Sequence, residues 1–196
     1  MNLKAIIFDF AGVITTIDPY WTWIEEKFPN LSEDQRTFFQ KISNDVDRAS
    51  ITHQQFVDML ANAIEVAPEE LWPNILERTE VNQELLGIIK NLKDKYKIGL
   101  LSNYTYPWLE ELLELYSLSD HFDHIIISSR ERLIKPDPKI FYKMLSALNT
   151  KAPEAIFFDD KSSNIEGAKR IGIQAFLFTD NDKLKKDLLS VGINYE

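Results

Sequence analysis

The sequence predicts an α/β fold: a Rossmann-like parallel sheet flanked by helices, with an α-helical cap inserted after the first strand. Three observations carry this. Five short apolar runs of strand length recur along the chain, as expected of strands buried on both faces. Segments with helical spacing separate the later runs. Residues 15–80 interrupt the alternation with helical patterns and no convincing buried strand.

The first run is Ala5 to Phe8, followed by the insert. Within the insert, Gln54 to Ile64 places Phe56, Leu60, Ala63 and Ile64 at helical spacing, and Thr52 with Gln55 has the spacing of a capping box. Pro68 and Pro73 punctuate its end. Leu85, Ile88, Ile89 and Leu92 then form an apolar stripe before the second run, Ile98 to Leu101. Leu109, Leu112, Leu113 and Tyr116 form the next stripe, leading to Ile125 to Ile127. Ile140, Phe141, Met144, Leu145 and Leu148 precede Ile156 to Phe158, and Ala175 to Phe178 is the last run. Such alternation implies right-handed crossovers. The expected organisation is a core of residues 1–14 and 81–196 with a cap of residues 15–80, hinged near residues 14 and 80.

A chain of 196 residues suits one such domain with a modest insert. Apolar residues at 44% and charged ones at 27% exclude global disorder. No apolar stretch approaches a membrane span, and Met1-Asn2-Leu3-Lys4 runs into a strand-like segment rather than a signal peptide, so a cytoplasmic location is expected. The absence of cysteine removes disulfides, thiolate metal sites and cysteine nucleophiles. A net charge of -9 with no Lys/Arg tract argues against nucleic acid as a partner. Nothing in the sequence signals an oligomeric state.

In open parallel sheets, ligands bind beyond the carboxyl ends of the strands. Asp9 ends the first strand, and either a ligand-binding carboxylate or a turn cap fits there, with Gly12 permitting a tight turn. Asp159-Asp160 ends the fourth, with Asn164 following. Two adjacent carboxylates repel unless a cation neutralises them, and oxygen-rich sites suit magnesium; a cap for the helix starting near Ser163 is the alternative. Ser102-Asn103 ends the second strand and Lys135 sits in Ile134-Lys135-Pro136-Asp137-Pro138. A hydroxyl, an amide and an ammonium are what a phosphate dianion needs, although either motif alone also fits a turn or a solvated lysine. Four polar clusters at four strand ends are hard to explain as independent caps.

Four segments in this order carry a resemblance: Ile7-Phe8-Asp9-Phe10-Ala11-Gly12-Val13, Leu101-Ser102-Asn103, Lys135-Pro136-Asp137-Pro138 and Phe158-Asp159-Asp160-Lys161-Ser162-Ser163-Asn164-Ile165-Glu166-Gly167-Ala168. Together they resemble the motifs of the haloacid dehalogenase-like hydrolases. The segment Ser50 to Phe56 resembles caps of the sugar-phosphate phosphatase and epoxide-hydrolase-associated branches. The resemblance implies phosphoryl transfer through an aspartyl-phosphate, with Asp9 as nucleophile and Lys135 adding positive charge. It implies magnesium held by Asp9, Asp160 and the Ala11 carbonyl. It places Ser102, Asn103, Lys135 and the amides of Phe10 and Ala11 around the phosphoryl oxygens, with Asp159 and Asn164 behind them. The implied partner is a small phosphorylated metabolite.

The departure is Ala11, where phosphatases of the family carry a second aspartate as general acid and base. A missing acid points to a slow phosphatase, altered chemistry or a binding protein. Dehalogenases also lack that aspartate, but Asp159-Asp160 argues against that branch. Phosphonoacetaldehyde hydrolases use a cap lysine, and residues 15–80 hold only Lys27 and Lys41. Among substitute acids, His53 is the best placed of the three histidines because it lies in the insert. Tyr20, Trp21 and Trp23 are expected in the cap core rather than at the site.

Overall fold

The computed structural model describes residues 3–195; Met1, Asn2 and Glu196, at the ends of the expected core segments, lie outside the described residues. Five strands, β1 (Ala5–Phe8), β2 (Lys97–Ser102), β3 (His124–Ile127), β4 (Ala155–Asp159) and β5 (Gln174–Leu177), form a wholly parallel sheet of order β3-β2-β1-β4-β5. The first strand is therefore central, and the crevice flanking it is where a doubly wound sheet binds ligands. Alternation along β1 divides the core: Ile6 and Phe8 pack on one face and Ala5 and Ile7 on the other. The three interior strands are buried as their sequences require. The edge strands differ from the two-face burial expected, since Ile125 is half-buried and Leu177 is exposed where the sheet ends.

Helices α1 (Pro19–Lys27), α2 (Glu33–Asp47), α3 (His53–Ile64) and α4 (Pro68–Glu77) occupy the segment between β1 and the return to the sheet. The capping box on α3 is formed, with the Gln55 amide donating to Thr52 Oγ1 at 3.1 Å and the Thr52 amide to Gln55 Oε1 at 2.8 Å. Its buried face corrects the expected stripe by one residue: Ala61 is inside and Ala63 is exposed. At 3.6 residues per turn, Ala61 lies beside Leu60 and Ile64 on the packed side, and two small alanines give no signal to tell them apart. The excursion leaves and rejoins at one place. Thr15 bridges Val81, the Thr16 amide donates to the Glu80 carbonyl at 2.9 Å, and the Asn82 amide donates to the Ile14 carbonyl at 2.9 Å.

The remaining helices are α5 (Gln83–Leu92), α6 (Tyr106–Leu115), α7 (Ser128–Glu131), α8 (Pro138–Ala147), α9 (Ser162–Arg170) and α10 (Asn181–Ser190). The predicted stripes of α5, α6 and α8 are buried apart from Tyr116, which is half-buried and follows α6. Among the described residues, no helix is long and apolar enough to cross a membrane.

Candidate active site

The four clusters are brought together at the carboxyl ends of the strands. After β1 the chain makes a five-residue turn, Phe10–Ile14, closed by the Thr15 amide donating to the Phe10 carbonyl at 3.0 Å. The turn breaks helical geometry at Ala11 and at Gly12, whose φ is 73°. Glycine has a second reason to be there: a Cβ on it would stand 2.9 Å from Asp160 Oδ2. Only a residue without a side chain allows both this backbone and that neighbour.

Lys135 is the electrostatic centre of the site. Its ammonium, fully buried, lies 2.7 Å from Asp9 Oδ1 and 2.7 Å from Asp159 Oδ2. Asn103 holds it there through the backbone, accepting from the Lys135 amide at 2.8 Å and donating to the Lys135 carbonyl at 3.0 Å. Both ends of the Asn103 side-chain amide are thus engaged with Lys135, and Asn103 also lines the cavity above it. Asp159 accepts from Asn164 Nδ2 at 3.0 Å and from the Lys161 amide at 2.8 Å. Gly167 lets α9 approach the lysine loop, since a Cβ there would meet Pro136 Cβ at 2.6 Å and the Pro136 carbonyl oxygen at 2.9 Å.

Burial pushes the Asp9 carboxyl well up from its ordinary pKa; the charge of Asp159 adds to this and Lys135 opposes it. Burial acts on Asp159 the same way, but the charge and hydrogen bond of Lys135 outweigh it and hold that carboxyl below the usual range. Burial alone would lower Lys135, yet its two carboxylates keep it above its ordinary value. The result is a lysine held as ammonium between two acids of opposite character.

Asp9, Asp159 and Asp160 offer carboxylate oxygens within 4.8 Å of one another. Asp160 Oδ1 is buried without a hydrogen-bond partner among the described residues, and burial pushes its carboxyl up. An all-oxygen set with an orphaned carboxylate oxygen fits a hard divalent cation. Ser102 Oγ is likewise fully buried and unpartnered at the end of β2. The Phe10 ring is buried against Tyr104 and its amide donates to Asp9 Oδ1 at 2.7 Å.

A cavity of about 260 Å³ opens from Asp9, Ala11 and Lys135 toward the inserted helices. Its far wall was not legible in the motifs: Asp18, Asp47 and Tyr104 line it, beside Lys161 of the fourth motif. Tyr20 and Trp23 are buried in the core as expected, and Trp21 packs against it half-buried, but Tyr20 and Trp21 also present a face to the cavity. Burial raises Asp18, and it raises Asp47 to about 7. His53 is not on the wall. Its Nδ1 shares a 2.9 Å hydrogen bond with Thr105 Oγ1, its ring stands edge-on to Trp108, and burial lowers its pKa. Neither Lys27 nor Lys41 lines the cavity, and Lys41 pairs at the surface with Asp45 at 2.6 Å.

A buried ammonium clasped by acids at the mouth of a parallel sheet, beneath a small cavity, defines an enzyme site built for an anionic substrate. The chain belongs to the haloacid dehalogenase-like hydrolases, whose family model matches residues 3–172. It is 28% identical over 189 residues to D-ribitol-5-phosphate phosphatase of Bacteroides thetaiotaomicron, covering 89% of this chain and 91% of that one. It is 26% identical over 219 residues to Bifunctional epoxide hydrolase 2 of Sus scrofa; the match takes in 97% of this chain but spans only 39% of that relative's length. The fold is shared with a HAD family enzyme of Bacteroides thetaiotaomicron solved with magnesium and inorganic phosphate, with a TM-score of 0.76 and 20% identity over 93% of this chain and 98% of that one.

Proposed function

We propose that the chain is a magnesium-dependent phosphatase that hydrolyses a small phosphomonoester through an aspartyl-phosphate on Asp9, with residues 15–80 as the cap over the site. The observation that carries this reading is Lys135, buried and bonded at 2.7 Å to both Asp9 and Asp159 beside the unpartnered Asp160 oxygen. Asp9 attacks phosphorus, and Lys135 offsets the repulsion between the nucleophile and the phosphoryl dianion. The unpartnered Ser102 hydroxyl donates to a phosphoryl oxygen. Asp159, with Asn164 and the Lys161 amide on it, fixes the ammonium, and Asn103 fixes the backbone that carries it. Asp9, Asp160 and the Ala11 carbonyl would hold magnesium, which when bound screens the negative charge gathered at phosphorus. The relative that acts on D-ribitol 5-phosphate supports a polyhydroxylated metabolite as the substrate, and a cavity of about 260 Å³ suits a molecule of that size.

Ala11 favours one second reading, a relative that binds a phosphorylated metabolite without turnover. A panel of phosphate esters with and without magnesium, with Asp9→Asn as the blank, separates the two. Magnesium-dependent phosphate release above the blank is expected. Binding of an ester without release from any member of the panel would favour the second reading.

A further inference from the structure

Position 11 has no acid, so the alkoxide that leaves phosphorus needs a proton from elsewhere. On the cavity wall, Asp47 is the group with the right chemistry. It is the last residue of α2, it is 9% exposed, and its carboxyl has no hydrogen-bond donor among the described residues. Asp18 is already engaged, accepting from the Trp21 amide at 3.2 Å as the cap of α1. His53 does not line the cavity, and its Nδ1 is engaged with Thr105 Oγ1. Asp9, Ala11 and Asp47 line the same cavity, and position 11 contributes only a methyl group to it.

We propose that the Asp47 carboxyl protonates the leaving oxygen and then takes a proton from the attacking water, doing the work for which Ala11 has no group. The inference rests on the phosphatase reading. In the first half-reaction the Asp9 oxygen forms a bond to phosphorus and the bond from phosphorus to the leaving oxygen breaks. The electron pair stays on the leaving oxygen, which takes the Asp47 proton and departs as an alcohol. In the second, water oxygen bonds to phosphorus, the Asp9 bond breaks with its pair returning to the carboxylate, and the water proton goes to Asp47. Both acids are restored, and the net change is ester plus water to alcohol plus phosphate.

The surroundings suit a group that must give and accept a proton. Asp47 faces Lys161 and Lys135, which favour its charged form, and Asp18, which with burial disfavours it; the hydroxyls of Tyr20 and Tyr104 feel its charge, and Arg48 follows it on the wall. The balance leaves Asp47 at about 7, where neither form dominates near neutral pH.

The test is the leaving-group dependence of Asp47→Asn. A p-nitrophenyl ester needs little protonation on leaving, whereas an alkyl phosphate needs much. Turnover of n-pentyl phosphate should fall by about 10² to 10⁴, the usual worth of a positioned acid, and that of p-nitrophenyl phosphate by less than about tenfold. Adding Ala11→Asp to Asp47→Asn should restore alkyl turnover at least about tenfold. Asp47→Ser, run beside it, removes the acid with a smaller side chain, so one poorly folded variant does not decide the matter. Equal losses on both esters in variants that melt no lower than the parent, no loss on either, or the same selectivity in Asp18→Asn instead would overturn the assignment. If the parent releases no phosphate above Asp9→Asn from either ester, the phosphatase reading has failed and this inference falls with it.

Discussion

Replacing Lys135 with methionine probes the electrostatics that organise the site. The substitution keeps most of the side-chain volume and removes the charge, leaving Asp9 and Asp159 buried without the ammonium that stands 2.7 Å from each. Removing one partner of a buried ion pair typically costs about 3–5 kcal/mol. For 196 residues, an unfolding entropy of about 2.1 cal/mol/K per residue converts this to a Tm lower by about 7–12 °C. The sign with pH follows from Asp9, whose pKa in the folded protein is raised by burial and would rise further without Lys135. A raised carboxyl contributes stability below its ordinary pKa and loses it as pH rises through the folded value, so the deficit should be larger at pH 8 than at pH 5. Asp9→Asn removes one of the two repelling acids and should melt at or above the parent. Calorimetric melts in EDTA at both pH values decide this. A Lys135→Met protein within about 2 °C of the parent at pH 8 would refute the reasoning, because no buried charge balance would then depend on the lysine.

Asp160→Ala should abolish magnesium binding in a calorimetric titration, and undiminished affinity would remove Asp160 from the ligand set. Gly12→Ala forces a side chain onto a φ of 73° and against Asp160 Oδ2, so it should lower both Tm and magnesium affinity; unchanged values would show that the turn is not constrained. Gly167→Ala should reduce kcat without touching the substrate, by displacing Pro136 and the lysine before it, and parent-like kcat would show that α9 can move instead. Asp47 is buried and raised from 3.8 to about 7, so the stability tied to it is present below pH 4 and lost as pH climbs through 7. Linkage makes that loss about 4 kcal/mol. Asp47→Asn should accordingly be more stable than the parent at pH 8, and an equal or lower melting temperature there would contradict the account of its burial.

The core was legible because its signals are local. Runs such as Ala5 to Phe8 and Ile156 to Phe158 are apolar at every position, and interior strands of a parallel sheet are buried on both faces. Ile125 and Leu177 escaped the pattern because an edge strand obeys a weaker rule. The acids at the strand ends, Asp9 and Asp159-Asp160, and the lysine between them stood out because topology assigns those places to ligands. The cavity's far wall did not. Asp47 closes an amphipathic helix and Asp18 precedes one, positions where an acid is ordinarily solvated or capping. That Tyr20 and Trp21 border the cavity as well as the core gave no signal, because their spacing is the same whether the face meets protein or a cavity. The double engagement of Asn103 with Lys135 joins residues 32 positions apart, and no local pattern encodes such a pair.

The central claim is that Asp9 becomes phosphorylated in turnover. Acid quenching during steady-state hydrolysis of p-nitrophenyl phosphate with magnesium, followed by borohydride reduction and peptide mass spectrometry, reads this directly, because an acyl phosphate is reduced to an alcohol and a free carboxylate is not. The account predicts a homoserine residue at position 9, present with ester and magnesium together and absent when either is left out. Phosphate release from the same sample with Asp9 unmodified, or with the reduced residue at another aspartate, would contradict it.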